Sequence, residues 1–283
     1  MSYKMICVDI DGTILNDKHK LTEDTKKALK EAHDKGLHVV ICSGRLFSDA
    51  EYYSNLLGVN SSIVGSNGTI IKDKKNDEFI FKKILGKNTC SKLLKIFSKH
   101  NIKASFYTTD KVYSSNFKFT LILFLGKLIG VVSRNTKLKY IFNKKQWQQM
   151  IDTSVDNIYK CEVTVKDIDK LNALKKELKQ LHDIELVNQA ADNIEISSKG
   201  ITKGSAVKFL TKYYNIKKEE VITIGDSGND LPMIEYAGLG VAMGNAFEDV
   251  KERADYITAS NNDSGVAKVI NEFVLTDQLR KIV

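Results

Sequence analysis

Proline occurs once in this chain of 283 residues, at Pro232, so no proline-rich linker announces a domain boundary. Internal repeats and low-complexity segments are absent as well. The four cysteines, Cys7, Cys42, Cys90 and Cys161, form no CxxC pair, which argues against a zinc site or a disulfide framework and favours buried thiols. No apolar run reaches the roughly 20 residues of a spanning helix. The most lipid-like stretch, FKFTLILFLGKLIGVV at 117–132, carries Lys118 and Lys127 and reads as core, not membrane. The first apolar run is short, holds two aspartates and ends at Gly12 without a small-residue cleavage site, which predicts no secretory signal and a cytoplasmic address.

What is present is 42% hydrophobic and 28% charged, enough for a sizeable core in one large domain or two modest ones. The net charge of +8 is unevenly spread. Residues 82–192 hold 21 Lys and Arg against 10 Asp and Glu, a surplus of +11, while the remainder holds 22 against 25. A lysine-rich solvated face explains this most simply, and a field focused on anionic ligands is the functional reading. No aromatic-basic motif accompanies the lysines, so nucleic acid is not an expected partner.

From the start to about residue 72, short apolar runs alternate with helical ones, the pattern of strands joined by crossover helices. KMICVDI is a strand, Leu21 to Ala32 marks a helix face that Thr22 can cap, and HVVICS and SIVGSNG supply further strands. The alternation returns after residue 205, with VITIGD and GVAM as strands. Between the halves lie a helix at 89–100, strand-like ASFYTTDKVYSS, strand YKCEVTV, a helix at 168–181, and strands IELVN and NIEIS. The expected fold is α/β, a doubly wound, Rossmann-like parallel-sheet core with an inserted α+β domain. The boundaries are 1–81 and 193–283 for the core and 82–192 for the insert.

In such a sheet the functional crevice lies at the carboxyl ends of the strands. The first strand ends in DIDGT, with Asp9 and Asp11 two residues apart and facing one side if the strand persisted. A cation would relieve their repulsion, and Mg²⁺ favours one or two carboxylates completed by water and phosphate oxygens. Carboxylates capping a strand end in water is the plainer explanation; an EF-hand lacks its further ligand and its preceding helix. The second strand ends in CSGR, offering the Ser43 hydroxyl, close backbone approach at Gly44, and Arg45 as an anion clamp. VITIGD runs into GDSGND, which supplies Asp226, Asn229 and Asp230, and GITKGS places Lys203 at a helix start. Four such pieces, each at a strand end or helix start, leave little room for coincidence.

DIDGT, CSGR, ITKGS and GDSGND resemble the four motifs of the haloacid dehalogenase superfamily, in its Cof-like phosphatase branch, and SNG, GVAMGNA and DSGVA match further signatures of that family. The resemblance implies a cap domain inserted between the second and third motifs. It implies Asp9 as the nucleophile that forms an aspartyl phosphate and Asp11 as the acid and base, with its pKa suitably raised. It further implies Mg²⁺ held by Asp9, the Asp11 backbone carbonyl and Asp226, with Asp230 reaching it through water or orienting the site. Ser43, Gly44, Lys203 and Asn229 would cradle the phosphoryl group, and Arg45 and Asn67 would lie near the leaving group. The expected partner is a small phosphorylated metabolite, with neither nucleic acid nor membrane, and the protein a monomer or homodimer. A sugar-phosphate phosphomutase and a non-enzymatic phosphate-sensing module are the alternatives; Asp11 argues against the second.

Overall fold

Hydrogen bonding sorts the strands into a sheet of eight and a sheet of six. The computed structural model describes residues 3–276 apart from 131 and 191. The chain divides into two units: one takes the chain up to Arg45, Ala50–Phe81 and everything from Thr202 on, the other Leu46–Asp49 and Lys82–Ile201.

In the first unit, six strands run parallel in the spatial order Tyr256–Ile257, Leu239–Ala242, Val221–Gly225, Met5–Val8, His38–Cys42, Ile63–Gly65. Ile70–Asp73, antiparallel to Ile63–Gly65, and Glu78–Lys82 extend one edge. This is the doubly wound parallel sheet that the alternating pattern predicts. Met5 to Val8 are wholly buried, as a strand covered on both faces must be. The chain leaves Met5–Val8 toward one edge and later returns beside it through Val221–Gly225 toward the other, so the winding reverses between these two strands. Asp9 and Asp226 each follow one of them.

The flanking helices follow from local sequence. Thr22 accepts a hydrogen bond from the Thr25 amide, Glu23 and Asp24 occupy the first turn, and Thr25, Ala28, Leu29 and Ala32 form the buried face of Glu23–Asp34. Thr202 and Ser205 close a capping box that starts Lys203–Tyr213, earlier than the sequence pattern places it, and this draws Lys203 into the first turn.

The second unit is built on Ile184–Ala190, Asn193–Ser198, Lys160–Thr164, Ala104–Tyr107, Lys111–Ser114 and Lys137–Tyr140, in that spatial order. Helices Lys87–Lys99, Lys144–Ser154 and Ile168–Leu178 bring Leu93, Phe97, Met150, Ile151 and Leu174 onto Phe106, Cys161 and Ile196 of the sheet. ASFYTTDKVYSS is a hairpin, closed where the Thr108 amide donates to the Lys111 carbonyl. Asn193–Ser198 pairs with both Lys160–Thr164 and Ile184–Ala190, so the insert extends past residue 192 to Ile201. Alternation alone does not say which of two sheets a strand will join.

The described residues of 117–132 are not core. Phe117–Leu128 is a helix with no buried residue. Phe119 and Leu123 pack, half-buried, against a small cluster of Leu46, Tyr107, Val112 and Leu138. The helix is apolar nearly all round, and the edge of a six-stranded sheet covers only one of its faces.

Candidate active site

Asp9 ends the first strand almost fully buried, its amide donating to the Ile224 carbonyl of the neighbouring strand. The turn that follows, Ile10–Ile14, is broken inside by an extended Asp11 and by Gly12 at φ +70°. That break separates the two aspartates. Gly12 is there for space as well as for its positive φ: a Cβ on it would stand 2.4 Å from Asp226 Oδ2. Thr13 then donates to Asp226 Oδ1 at 3.2 Å, a contact that the motif alone did not suggest.

Lys203 has no exposed surface and donates through Nζ to Asp9 Oδ1 and Asp230 Oδ1, both at 2.6 Å. The other oxygen of Asp230 accepts from the backbone amides of Asp226 and Ser227 at 3.0 and 3.1 Å. Asp230 is thus a brace between the lysine and the loop after Val221–Gly225. Asp9, Asp226 and Asp230 each bring a carboxylate oxygen within 4.8 Å of the others. Two of these three carboxylates share one lysine, and Asp226 is paired with Thr13 instead. Burial would push the Lys203 pKa down, but Asp230 and Asp9 outweigh it and hold it well above the lysine range. Burial pushes Asp9 upward, and the charges of Asp230, Asp226 and Asp11 add to that against the pull of Lys203. Burial and then the charge of Asp230 raise Asp226 to about 7.

This charge deficit is the test of whether a divalent cation fits. The carboxylates are crowded and short of positive charge, Asp226 makes only one side-chain hydrogen bond among the described residues, and the donors are all oxygen. Such a set suits a hard divalent cation.

Asp11 lies apart from this cluster, clamped by Arg45. Partial burial raises its pKa, yet the hydrogen bonds and charge of Arg45, helped by Lys203, bring it below the usual carboxylate value. The raised pKa expected for an acid-base group is therefore not found; the guanidinium that holds Asp11 favours its ionised form. Ser43 is buried beyond the end of His38–Cys42, its carbonyl accepting from the Asn67 amide at 2.9 Å and its hydroxyl from the Arg45 amide at 3.1 Å. Gly44 lies between Ser43 and Arg45 in this turn. Asn67, at φ +56° and 2% exposed, accepts through Oδ1 from Asn229 Nδ2 at 3.1 Å. Ser43, Asn67 and Asn229 thus form one hydrogen-bonded set.

Two asparagines escaped the reading of the sequence. Asn245 donates to the Gly12 carbonyl at 2.9 Å and accepts from the Asn261 amide, while Asn261 donates to the Leu15 carbonyl. They pin the turn that carries Asp11. The signal for Asn245 was its place in GVAMGNA, just past the end of another strand of the same sheet.

The family of haloacid dehalogenase-like hydrolases matches residues 6–270. The chain belongs to that family. The hydrolase is 33% identical over 272 residues to the 5-amino-6-(5-phospho-D-ribitylamino)uracil phosphatase YcsE of Bacillus subtilis, covering 96% of each chain. It is 31% identical to the phosphatase YwpJ of the same organism, covering 96% of this chain and all of that one. A solved haloacid dehalogenase-like hydrolase from B. subtilis superposes with a TM-score of 0.82 at 30% identity, over 96% of this chain and 100% of the other.

Proposed function

We propose that this hydrolase is a Mg²⁺-dependent phosphatase that cleaves small phosphorylated metabolites through an aspartyl phosphate on Asp9. The observation that carries the reading is the placement of Asp9: buried at the switch point of the sheet, one oxygen on Lys203, the other without a hydrogen bond among the described residues. A carboxylate held by one oxygen and open at the other is an oriented nucleophile.

In the first step Asp9 Oδ2 attacks phosphorus, the bond from phosphorus to the leaving oxygen breaks, and Asp11 gives that oxygen a proton. In the second, Asp11 takes a proton from water as the water oxygen attacks phosphorus, and the bond to Asp9 breaks to release inorganic phosphate. Asp11 enters the first step as an acid, so its ion pair with Arg45 must part before it delivers the proton. Lys203, Ser43, Gly44 and Asn229 hold the phosphoryl oxygens, and Asp230 keeps Lys203 and the Asp226 loop in place. Arg45 and Asn67 border the leaving group. Held by Asp9, the Asp11 carbonyl and Asp226, Mg²⁺ would neutralise charge on the phosphoryl group. The inserted unit, with most of the basic surplus, is the cap that reads the substrate.

The test is a screen of phosphorylated metabolites for phosphate release with and without Mg²⁺, with Asp9→Asn as the blank. The compound in the name of YcsE is the first to assay. Release that depends on Mg²⁺ and disappears in Asp9→Asn is the expected result. Equal release by Asp9→Asn and wild type would overturn the mechanism, and an isomeric sugar phosphate without net release would make the enzyme a mutase.

A further inference from the structure

Of the fifteen large hydrophobic side chains exposed among the described residues, eight fall between Phe117 and Phe142. This clustering sets the region apart from scattered surface hydrophobics, which need no explanation. The helix Phe117–Leu128 turns Phe119 and Leu123 inward, and on its other side Phe117, Leu121, Phe124, Leu125 and Leu128 form a continuous stripe at helical spacing, each between 45% and 65% exposed. Ile122 and Ile129 widen it. At the helix start the stripe continues through edge-on contacts, Phe117 to Tyr140 at 5.9 Å and Tyr140 to Phe142 at 4.6 Å, and Phe142 is 77% exposed.

The charge around this stripe is predominantly positive, with Lys137 paired to Asp110 at 2.8 Å. From Lys111 to Ile151 the chain has eight lysines and arginines and not one aspartate or glutamate. We propose that this face docks the protein onto an anionic lipid surface. The helix would lie in the plane of the headgroups, with its apolar stripe entering the acyl boundary and the lysines meeting lipid phosphates. Lys118 stands exposed on the helix itself, where its aliphatic stem can run along the apolar surface while its ammonium reaches a headgroup. No described helix is long and apolar enough to cross a membrane, so the attachment is to one face of the bilayer only.

A second copy of the chain is a poorer occupant. A two-fold contact through the stripe would set two strongly basic segments against each other, Lys137 being the one cation of the eight that is paired with a carboxylate, Asp110, among the described residues. An anionic bilayer supplies both the apolar phase and the missing charge.

The docking idea is separable from the phosphatase reading, because none of these residues belongs to the cluster around Asp9. The full chain would be sedimented with vesicles of phosphatidylcholine alone and of equal phosphatidylcholine and phosphatidylglycerol. Wild type is expected to pellet with the anionic vesicles, less so as salt rises, and to stay in solution with the neutral ones. Phe124→Ser combined with Leu125→Ser and Leu128→Ser should lower the partition at least about tenfold, with unchanged phosphate release from a soluble substrate, and Lys118→Glu with Lys144→Glu should lower the partition as much. Wild type left in the supernatant with anionic vesicles at low salt would overturn the proposal. So would equal binding to neutral vesicles, or variants that pellet as wild type does. A stripe-dependent dimer that ignores vesicles would assign the face to a second copy instead.

Discussion

Arg45 donates to both oxygens of Asp11, from Nε at 2.7 Å and from Nη2 at 2.6 Å, and its guanidinium stands 5.3 Å from the centre of the Tyr53 ring. The group assigned to proton transfer is thus held by a fork that favours its charged form. Deleting the fork leaves Asp11 with the upward push of its partial burial, so its pKa rises. In Arg45→Gln the proton-donating form persists to higher pH. The descending limb of kcat/KM against pH is expected to move upward for an alkyl phosphate, whose leaving group needs the proton. For an aryl phosphate with a good leaving group it should stay where it is. An alkyl profile that does not move in Arg45→Gln would remove Arg45 from control of Asp11.

Among the described residues, Lys203 is the one cation paired with Asp9 and Asp230, two of the three clustered carboxylates. Lys203→Met leaves Asp9 and Asp230 buried without it, a change of the kind that costs about 3–5 kcal/mol. Stability measured by urea unfolding should fall by about that much. Turnover should fall by about 10²–10³, since the proposed donor to the phosphoryl oxygens is lost with the charge. A variant of near wild-type stability and activity would show that Asp9 and Asp230 do not depend on the lysine.

Gly12→Ala tests the turn that separates the aspartates. The left-handed backbone costs alanine about 1–2 kcal/mol, and the new methyl would meet Asp226 Oδ2 at 2.4 Å. Asp226 must move, so the affinity for Mg²⁺, read by titration calorimetry, should weaken more than global stability does. If instead both fall together, or affinity holds, the approach of Gly12 to Asp226 is not what shapes the metal site.

How far the sequence discloses this arrangement varies by residue. Asp9, Asp226 and Lys203 are legible because each stands at the end of a buried strand or the start of a helix, and the sheet's winding brings those ends together whatever the loops do. Which of the two roles expected of Asp230 applies is not legible, since its bracing depends on two backbone amides that only the folded loop aims at it. Nor is the clamp on Asp11: Arg45 lies 34 residues away, and its pairing depends on where the broken turn sends the aspartate. The exposed helix Phe117–Leu128 misleads for a different reason. Apolar composition predicts burial, but burial needs a partner surface, and composition does not say that the sheet ends there.

The raised pKa of Asp226 links metal binding to pH. In the folded protein without a cation it lies at about 7, against 3.8 for the free side chain. Between those values the folded state keeps a proton that the unfolded state has released, so the stability of the metal-free protein falls as pH rises from about 4 to about 7. A bound cation replaces that proton as the partner of the carboxylate. Below pH 7 it must displace the proton first, which weakens affinity by about tenfold per pH unit. The rise in Tm on adding Mg²⁺ should therefore be small at about pH 5 and large at about pH 8. In Asp226→Asn, where no proton is exchanged at this position, the metal-free protein should be more stable than wild type above pH 7 and respond little to Mg²⁺ at either pH. Scanning calorimetry of both proteins across this range is the measurement. A Mg²⁺ response in wild type that is flat with pH would mean that Asp226 is already ionised without the metal and that its crowding by Asp230 is relieved in some other way.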